Sequence, residues 1–244
     1  METENKDKRK GKSVLLFSGG MDSLIFNFLL KPDILLVVPH GNNYEKREMK
    51  ILKNLIKRGI INKEKVIIDK RLELGDFERD DLIIPNRNLY FVTIASHYGE
   101  TIYLGSVYGD RSFDKSKAFF KKCECMFNYL YQEQHWCEKR TFNIGSPFKN
   151  KTKTQLVKMY LEKGGNPDHL IESYSCYSGN KVPCMKCKPC FRKWVALKNN
   201  NIDFYYPDFL SCQWFRDLFP SIMKGEYRGR EDNEIIKSLI NVEI

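Results

Sequence analysis

The chain of 244 residues predicts an α/β fold: a doubly wound, parallel, five-stranded sheet with a small four-cysteine zinc-binding subdomain toward its C-terminus. Three observations carry that prediction. Short apolar runs alternate with amphipathic stretches from Ser13 to Gly165, and strands separated by helices make βαβ units with helices on both faces of a sheet. A glycine pair follows the first apolar run directly. Four closely spaced cysteines follow Gly165, where the alternation stops.

Taken in order, Val14–Phe17 reads as a buried strand and Asp22–Leu30 as a helix stopped by Pro32, since proline cannot continue a helix interior. Ile34–Val38 is a second strand. Glu45–Lys57 is an amphipathic helix ending at Gly59, and Lys65–Ile68 a third strand. Asn86–Tyr98 reads as a helix closed by Gly99, and Thr101–Leu104 as a fourth strand rich in residues that suit a pleat. Ser116–Gln134 is a long helix, Phe142–Ile144 a last strand, and Lys151–Lys163 a helix halted by Gly164 and Gly165. Residues Ser173–Trp194 read as a metal-held loop outside the sheet. The stretch from Asn199 to Ile244 is aromatic and mixed in charge, and suits a helical extension or a partner surface.

Composition narrows the class. A hydrophobic share of 42% supports a real core and a charged share of 30% a soluble protein. The longest apolar runs, such as Ile34–Val38, fall far short of a membrane span. No apolar stretch follows the first residues, so no signal peptide is expected; the thiols are then reduced and the setting cytoplasmic. The formal charge of +10 suits nucleic acid, ATP or an acidic small substrate alike. The basic run Lys6–Lys12 reads as part of a solvated tail spanning residues 1–12.

The strongest local signal is the loop Phe17, Ser18, Gly19, Gly20, Met21, Asp22, Ser23 between a strand and a helix. Two glycines let the backbone turn sharply, so that its N–H groups approach an anion, and the helix N-terminus adds unsatisfied donors and a positive dipole end. Ser18 and Ser23 add hydroxyls. The loop lacks the Gly-Lys-Ser/Thr ending of a Walker loop and the third glycine of a dinucleotide fingerprint. The complete Ser-Gly-Gly-x-Asp-Ser string resembles the pyrophosphate loop of ATP pyrophosphatases, which activate a carboxylate or carbonyl oxygen as an adenylate. Preorganised donors there stabilise charge developing on pyrophosphate. Magnesium shares that load, with Asp22 as the candidate to orient the metal or to cap the helix.

Cys176, Cys184, Cys187 and Cys190 supply four thiols, the last three as Cys-x-x-Cys-x-x-Cys. That set suits closed, tetrahedral, structural zinc, whereas a catalytic zinc keeps an open position. Pro183 and Pro189 stiffen the knuckle, and Lys181, Lys186 and Lys188 offset its charge. Cys123, Cys125, Cys137 and Cys212 lack metal spacing and read as small buried hydrophobes.

Together the loop, Pro85-Asn86-Arg87-Asn88, the stretch from Gly105 to Asp110, Pro147 to Lys153, and Ser175-Cys176-Tyr177 with the three later cysteines occur in one order. This resembles the QueC family of 7-cyano-7-deazaguanine synthases from about Val14 to Trp194. The resemblance implies the adenine nucleotide alpha hydrolase-like fold, structural Zn2+, use of ATP and Mg2+, and a homodimer. It implies a reaction of 7-carboxy-7-deazaguanine, ATP and ammonia through an adenylated acid and an adenylated amide to a nitrile, releasing AMP and pyrophosphate in queuosine-type biosynthesis. It divides the chain into a nucleotide-binding domain over 13–172, a zinc segment over 173–198 and an extension over 199–244.

Roles follow by position. The loop residues Phe17 to Ser23 hold the phosphates, joined by Gly105. Arg87 and Asn88 contact nucleotide or deazaguanine, Arg87 through its fork of donors. Asp110 accepts from a guanine-like edge or serves as a turn aspartate. Lys153 sits near the phosphates or the carboxylate. His40 ends a strand at the ligand edge and either contacts substrate and moves a proton or is structural. Two segments depart from the family pattern. His40-Gly41-Asn42-Asn43-Tyr44 stands in place of Tyr-Gly-Gln-Arg-His, and the stretch from Ser112 to Ser116 lacks the family's Asp-Cys pair. An enzyme that stops at the amide, or uses another amine including one on a protein, fits these departures. An RNA-modifying relative and a zinc-stabilised binding module without turnover are the other readings.

Overall fold

The computed structural model describes residues 9–205 and 208–240. Residues 1–8 of the expected basic tail, and 206, 207 and 241–244 of the extension, lie outside the described residues. The end of the tail is exposed yet fastened: Gly11 N–H donates to Glu100 at 2.8 Å, and Lys12 O accepts from Thr101 N–H at 3.2 Å.

Five strands form one all-parallel sheet: β1 (Ser13–Leu16), β2 (Ile34–Val37), β3 (Val66–Ile68), β4 (Thr101–Tyr103) and β5 (Asn143–Gly145), in the order β3-β2-β1-β4-β5. Side-chain alternation along each strand builds two cores. Val14, Ile34, Leu36, Ile102 and Ile144 face the layer of α3 (Arg87–Ser96) and α4 (Lys117–Leu130). Leu15, Leu35, Val37 and Tyr103 face α1 (Met21–Leu30), α2 (Glu45–Lys57) and α5 (Lys153–Glu162). Continuous apolar strands are what a sheet covered on both faces requires, and each fully buried Leu, Ile or Phe contributes about 1.5–3 kcal/mol.

Local chemistry explains the helix ends. Lys31 takes a left-handed conformation and its N–H caps Asn27 O, after which Pro32 prevents continuation. Thr152 and Gln155 form a reciprocal capping box at the start of α5, satisfying two donors that a helix start otherwise leaves free. The long helix expected to Gln134 stops at Leu130, because the chain turns back there. Arg140 N–H donates to Tyr131 O, and Gln134 pairs with Cys137 in an isolated antiparallel bridge. On α4, Cys123 joins Phe120 and Phe127 on the buried face, while Cys125, two positions along, is exposed. The expectation of a buried hydrophobe is therefore corrected for Cys125, and Cys137 and Cys212 are half-buried.

The region beyond Gly165 is more ordered than its texture suggests. A short helix α6 (Pro167–Glu172) is capped by Asn166, and α7 (Lys188–Lys198) starts inside the cysteine cluster. Pro189 stands in the first turn of α7, where its missing N–H is not needed. The extension folds as α8 (Gln213–Met223) and α9 (Arg230–Ile240). Phe191 of α7 packs against Phe209, Phe215 and Trp214 with ring centroids 4.7, 5.5 and 5.7 Å apart. Cys176, Phe191, Phe215 and Ile235 belong to the same apolar cluster as Leu15 and Phe26. The metal segment and the extension thus share the core on one face of the sheet.

Candidate functional site

Parallel strands bring all their carboxyl ends to one edge. β1 sits between β2 and β4, and its two neighbours send their connections to opposite faces, which opens a crevice beyond β1 where ligands of such sheets bind. A cleft of about 710 Å³ occupies this edge. It is lined by the loop after β1, by Val38, His40, Asn42, Tyr44 and Glu48, by Arg87 and Asn88, by the loop after β4 and by residues 174–177.

The loop after β1 is built to present amides. Phe17 N–H donates to Leu36 O at 2.8 Å, and the side chains of Phe17 and Met21 are buried in the core, so both offer the cleft backbone only. Gly19 has φ +73°, a conformation that glycine adopts without strain. Gly20 precedes α1 without a side-chain cap. Ser23 Oγ donates to Gly20 O at 3.0 Å, and Gly20 N–H donates to Ser18 Oγ at 3.3 Å. The serines therefore brace the turn, and Gly20, the residue ahead of α1, brings no side chain of its own to cap the helix. The metal segment closes the loop from behind: Tyr174 N–H donates to Gly19 O at 3.2 Å and Met21 N–H to Ser175 Oγ at 3.5 Å. A side chain at Gly105 would meet nothing, as suits an open edge.

Asp22 and Lys153, 131 positions apart in sequence, form an ion pair in the cleft. The other carboxylate oxygen of Asp22, Oδ1, is buried without a hydrogen-bond partner among the described residues. A buried unpaired carboxylate oxygen is costly, and a cation or a donor from a ligand at that point would satisfy it. The oxygen chemistry suits magnesium, which takes one or two carboxylates plus substrate phosphates.

Arg87 begins α3. Its Nη1 donates to Tyr44 Oη at 3.4 Å, its guanidinium lies 5.6 Å from the Phe91 ring centroid, and its Nε is buried without a partner among the described residues. Asn88 is buried and donates to Asp114 O at 3.3 Å, so it steadies the turn before α4.

His40 and Asp110 line the cleft, but their polar atoms are engaged. His40 Nδ1 lies 2.9 Å from Val38 O, and its Nε2 lies 2.7 Å from the Asn42 amide nitrogen. The ring is then a neutral imidazole, donating at Nδ1 and accepting at Nε2. Burial lowers its pKa further, and the charge of Arg87 adds to that. Asp110 Oδ1 accepts from Arg192 at 2.7 Å, and its Oδ2 accepts from Val107 N–H at 3.2 Å. Burial alone would raise its pKa, but Lys115, Arg192 and Lys153 hold it well below the usual carboxylate range.

Glu48 escaped the sequence reading. It stands on the cleft-facing side of α2 and makes no ion pair within 4.0 Å among the described residues. Burial pushes its carboxyl up to about 7, with Arg87 pulling the other way. The helical spacing could have placed it on the inner face with Leu52 and Leu55, a charged residue among apolar ones. Arg192 was missed as well, because its partners come from distant parts of the chain.

The four cysteines converge as their spacing predicts. Their sulfurs all lie within 4.8 Å of one another, with Cys176 and Cys187 3.9 Å apart. Tetrahedral zinc with Zn–S near 2.3 Å separates its sulfurs by about 3.8 Å. Cys176 Sγ also accepts from the N–H groups of Ser178 at 3.4 Å and Cys184 at 3.3 Å, contacts that favour a thiolate. The donor set therefore fits closed zinc. Lys186 pairs with Asp208 at 3.1 Å and Lys188 lines the cleft. Among the described residues no helix is long and apolar enough to cross a membrane.

Comparison with known proteins agrees with this geometry. The sequence model described as queuosine biosynthesis protein QueC matches residues 12–201. The 7-cyano-7-deazaguanine synthase of Prochlorococcus marinus subsp. pastoris is 25% identical over 80% of this chain and 100% of its own length. Those of Aquifex aeolicus, 25% identical over 78% and 98%, and of Methanococcus aeolicus, 24% identical over 79% and 97%, are similar to the same extent. A match over more than three quarters of the chain, with the pyrophosphate-type loop and the four-cysteine cluster in place, shows that this chain belongs to the QueC family.

Proposed function

We propose that this chain is an ATP-dependent ligase that converts 7-carboxy-7-deazaguanine and ammonia to 7-cyano-7-deazaguanine. The observation that carries the proposal is the Asp22 oxygen beside Lys153 that has no partner among the described residues, at the start of a helix preceded by Gly20. An anion with its cation completes that arrangement.

The chemistry assigns each group a task. The triphosphate lies along the amides from Gly19 to Ser23, with Lys153 beside it. Asp22 would hold Mg2+, which when bound neutralises the developing pyrophosphate charge. A carboxylate oxygen of the acid attacks the α-phosphorus, and the Pα–O–Pβ bond breaks to release pyrophosphate. Ammonia then attacks the acyl carbon, loses a proton, and expels AMP to leave an amide. In the second round the amide oxygen attacks the α-phosphorus of another ATP. Loss of two protons from the nitrogen and cleavage of the C–O bond give the nitrile and a second AMP. Glu48, titrating near 7, is the group in the cleft suited to take these protons at neutral pH. Arg87 offers its free Nε–H and guanidinium face to the acid or the nucleotide. Cys176, Cys184, Cys187 and Cys190 would hold Zn2+, whose part is to fix the segment that backs the phosphate loop.

A second reading keeps the first activation and changes the amine. The segment from His40 to Tyr44 and the stretch from Ser112 to Ser116 favour it, since both line or border the cleft and both depart from the family pattern. Mass analysis after incubation with the acid, ATP, magnesium and ammonium decides. The nitrile with two AMP per product supports the proposal. An amide with one AMP, or product only when another amine is present, supports the second reading. AMP formation that does not depend on the acid defeats both.

A further inference from the structure

The family match ends at residue 201, yet the chain beyond it reaches the cleft. Arg228, between α8 and α9, lines the cleft together with Asp110 and Arg192. Its guanidinium donates to Gly109 O in the loop after β4 and lies 3.8 Å from Glu231 of α9. Glu231 accepts from Arg192 at 2.8 Å, and Arg192 donates in turn to Asp110 at 2.7 Å and to Tyr108 O at 3.1 Å. All four charged side chains are at most 13% exposed. Two guanidinium and two carboxylate groups interlock here, and Lys115 lies 3.8 Å from the Asp110 carboxylate as well. The set is also tightly fitted: Gly109 has φ +80°, and a Cβ there would lie 2.3 Å from Glu231 Oε2.

The network leads toward the reacting centre. Asp110 feels the charges of Lys115 and Lys153, and Lys153 is the partner of Asp22. A shift of the loop after β4 would therefore alter the field at the lysine that pairs with Asp22. Buried ion sets of this kind leave a costly unpaired charge when one member is removed, which makes them suited to holding one geometry.

We propose that Arg228 and Glu231 are positioning residues of the active site: the C-terminal helices, through Arg192 and Asp110, hold the loop over residues 105–115 in its working place at the cleft. The effect on turnover rests on the adenylation reading, whereas the effect on the loop does not.

The test uses full-length Glu231→Gln, Arg228→Gln and Gly109→Ala, the last acting on the same contact from the loop side. Two readouts are taken: amide hydrogen exchange over residues 105–115, and steady-state AMP formation with ATP, magnesium, ammonium and the deazaguanine acid. Exchange in the loop should quicken about tenfold while the sheet stays protected. The kcat should fall about tenfold, with the KM for ATP moving less than about threefold, as for a misplaced group near the reacting atoms. Arg228→Lys keeps the charge and loses the fork. It should show both changes at smaller size, and it carries the test if the other variants do not fold. Unchanged loop exchange, or unchanged kcat in folded variants, overturns the proposal. If the wild-type chain forms no AMP while loop exchange still responds, the adenylation reading fails and the structural hold on the loop stands.

Discussion

Glu48 offers the clearest thermodynamic handle on the cleft. Its carboxyl is pushed up to about 7 from a reference of 4.5, chiefly by burial. A folded-state pKa above the unfolded one means that the folded chain binds the proton more tightly. Between pH ~4.5 and ~7 the unfolded state therefore holds fewer protons, and stability falls as pH rises. Above pH ~7 the side chain is ionised in both states and the penalty is complete; below pH ~4.5 it vanishes. The shift corresponds to an upper bound of about 3 kcal/mol, and the half-buried position of the side chain reduces this to roughly 1–2 kcal/mol. Glu48→Gln copies the protonated form, so it should be more stable than wild type at pH 8, with Tm higher by about 2–8 °C for a chain of this length. The advantage should close as pH falls to ~4.5. Urea unfolding followed by intrinsic fluorescence, with both proteins compared at each pH, cancels any common loss of metal in acid. A gap that is constant across pH, or a variant less stable at pH 8, refutes the burial argument. If Glu48 also accepts the protons of amide and nitrile formation, the same stabilised variant should lose roughly 100-fold in turnover.

Two further outcomes follow from the same geometry. Asp22→Asn keeps the shape and removes the charge facing Lys153; AMP formation should drop about 10²–10³-fold, and a variant with wild-type turnover removes Asp22 from the reaction. Cys187→Ser should lower zinc per chain and weaken ATP binding together by about tenfold, because the bonds from Tyr174 and Ser175 to the phosphate loop sit next to Cys176. Intact ATP affinity in a zinc-depleted chain would separate the metal from the loop.

Much of this architecture is legible in the residues. Strands β1 and β2 carry apolar runs buried on both faces, and β4 carries residues that suit a pleat, so all three are visible without partners. The loop from Ser18 to Ser23 is equally visible, since glycine and hydroxyl spacing carries its own local chemistry, and Cys-x-x-Cys-x-x-Cys announces a metal site by its spacing. Helix α7 was hidden, because Pro183, Pro189 and the cysteines suggest a loop, and the first turn of a helix tolerates proline. The end of α4 was hidden for a different reason: its apolar residues continue to Tyr131, and a tertiary bond from Arg140 stops it. Long-range charge is what sequence pattern cannot supply. The Asp22–Lys153 pair, the Arg192 partners Asp110 and Glu231, and the desolvated Glu48 all depend on where distant elements meet. Asp110, read from the sequence as a substrate contact or a turn aspartate, meets Arg192, Val107 N–H and Lys115, none of which its local pattern names.

The central claim is that an oxygen of the deazaguanine acid takes the adenylyl group of ATP in the cleft above β1. Acid labelled with ¹⁸O in its carboxyl group, incubated with ATP, magnesium and ammonium, tests it directly through the mass of the AMP released. The account predicts AMP carrying one labelled oxygen. Unlabelled AMP, or ADP in its place, would contradict it.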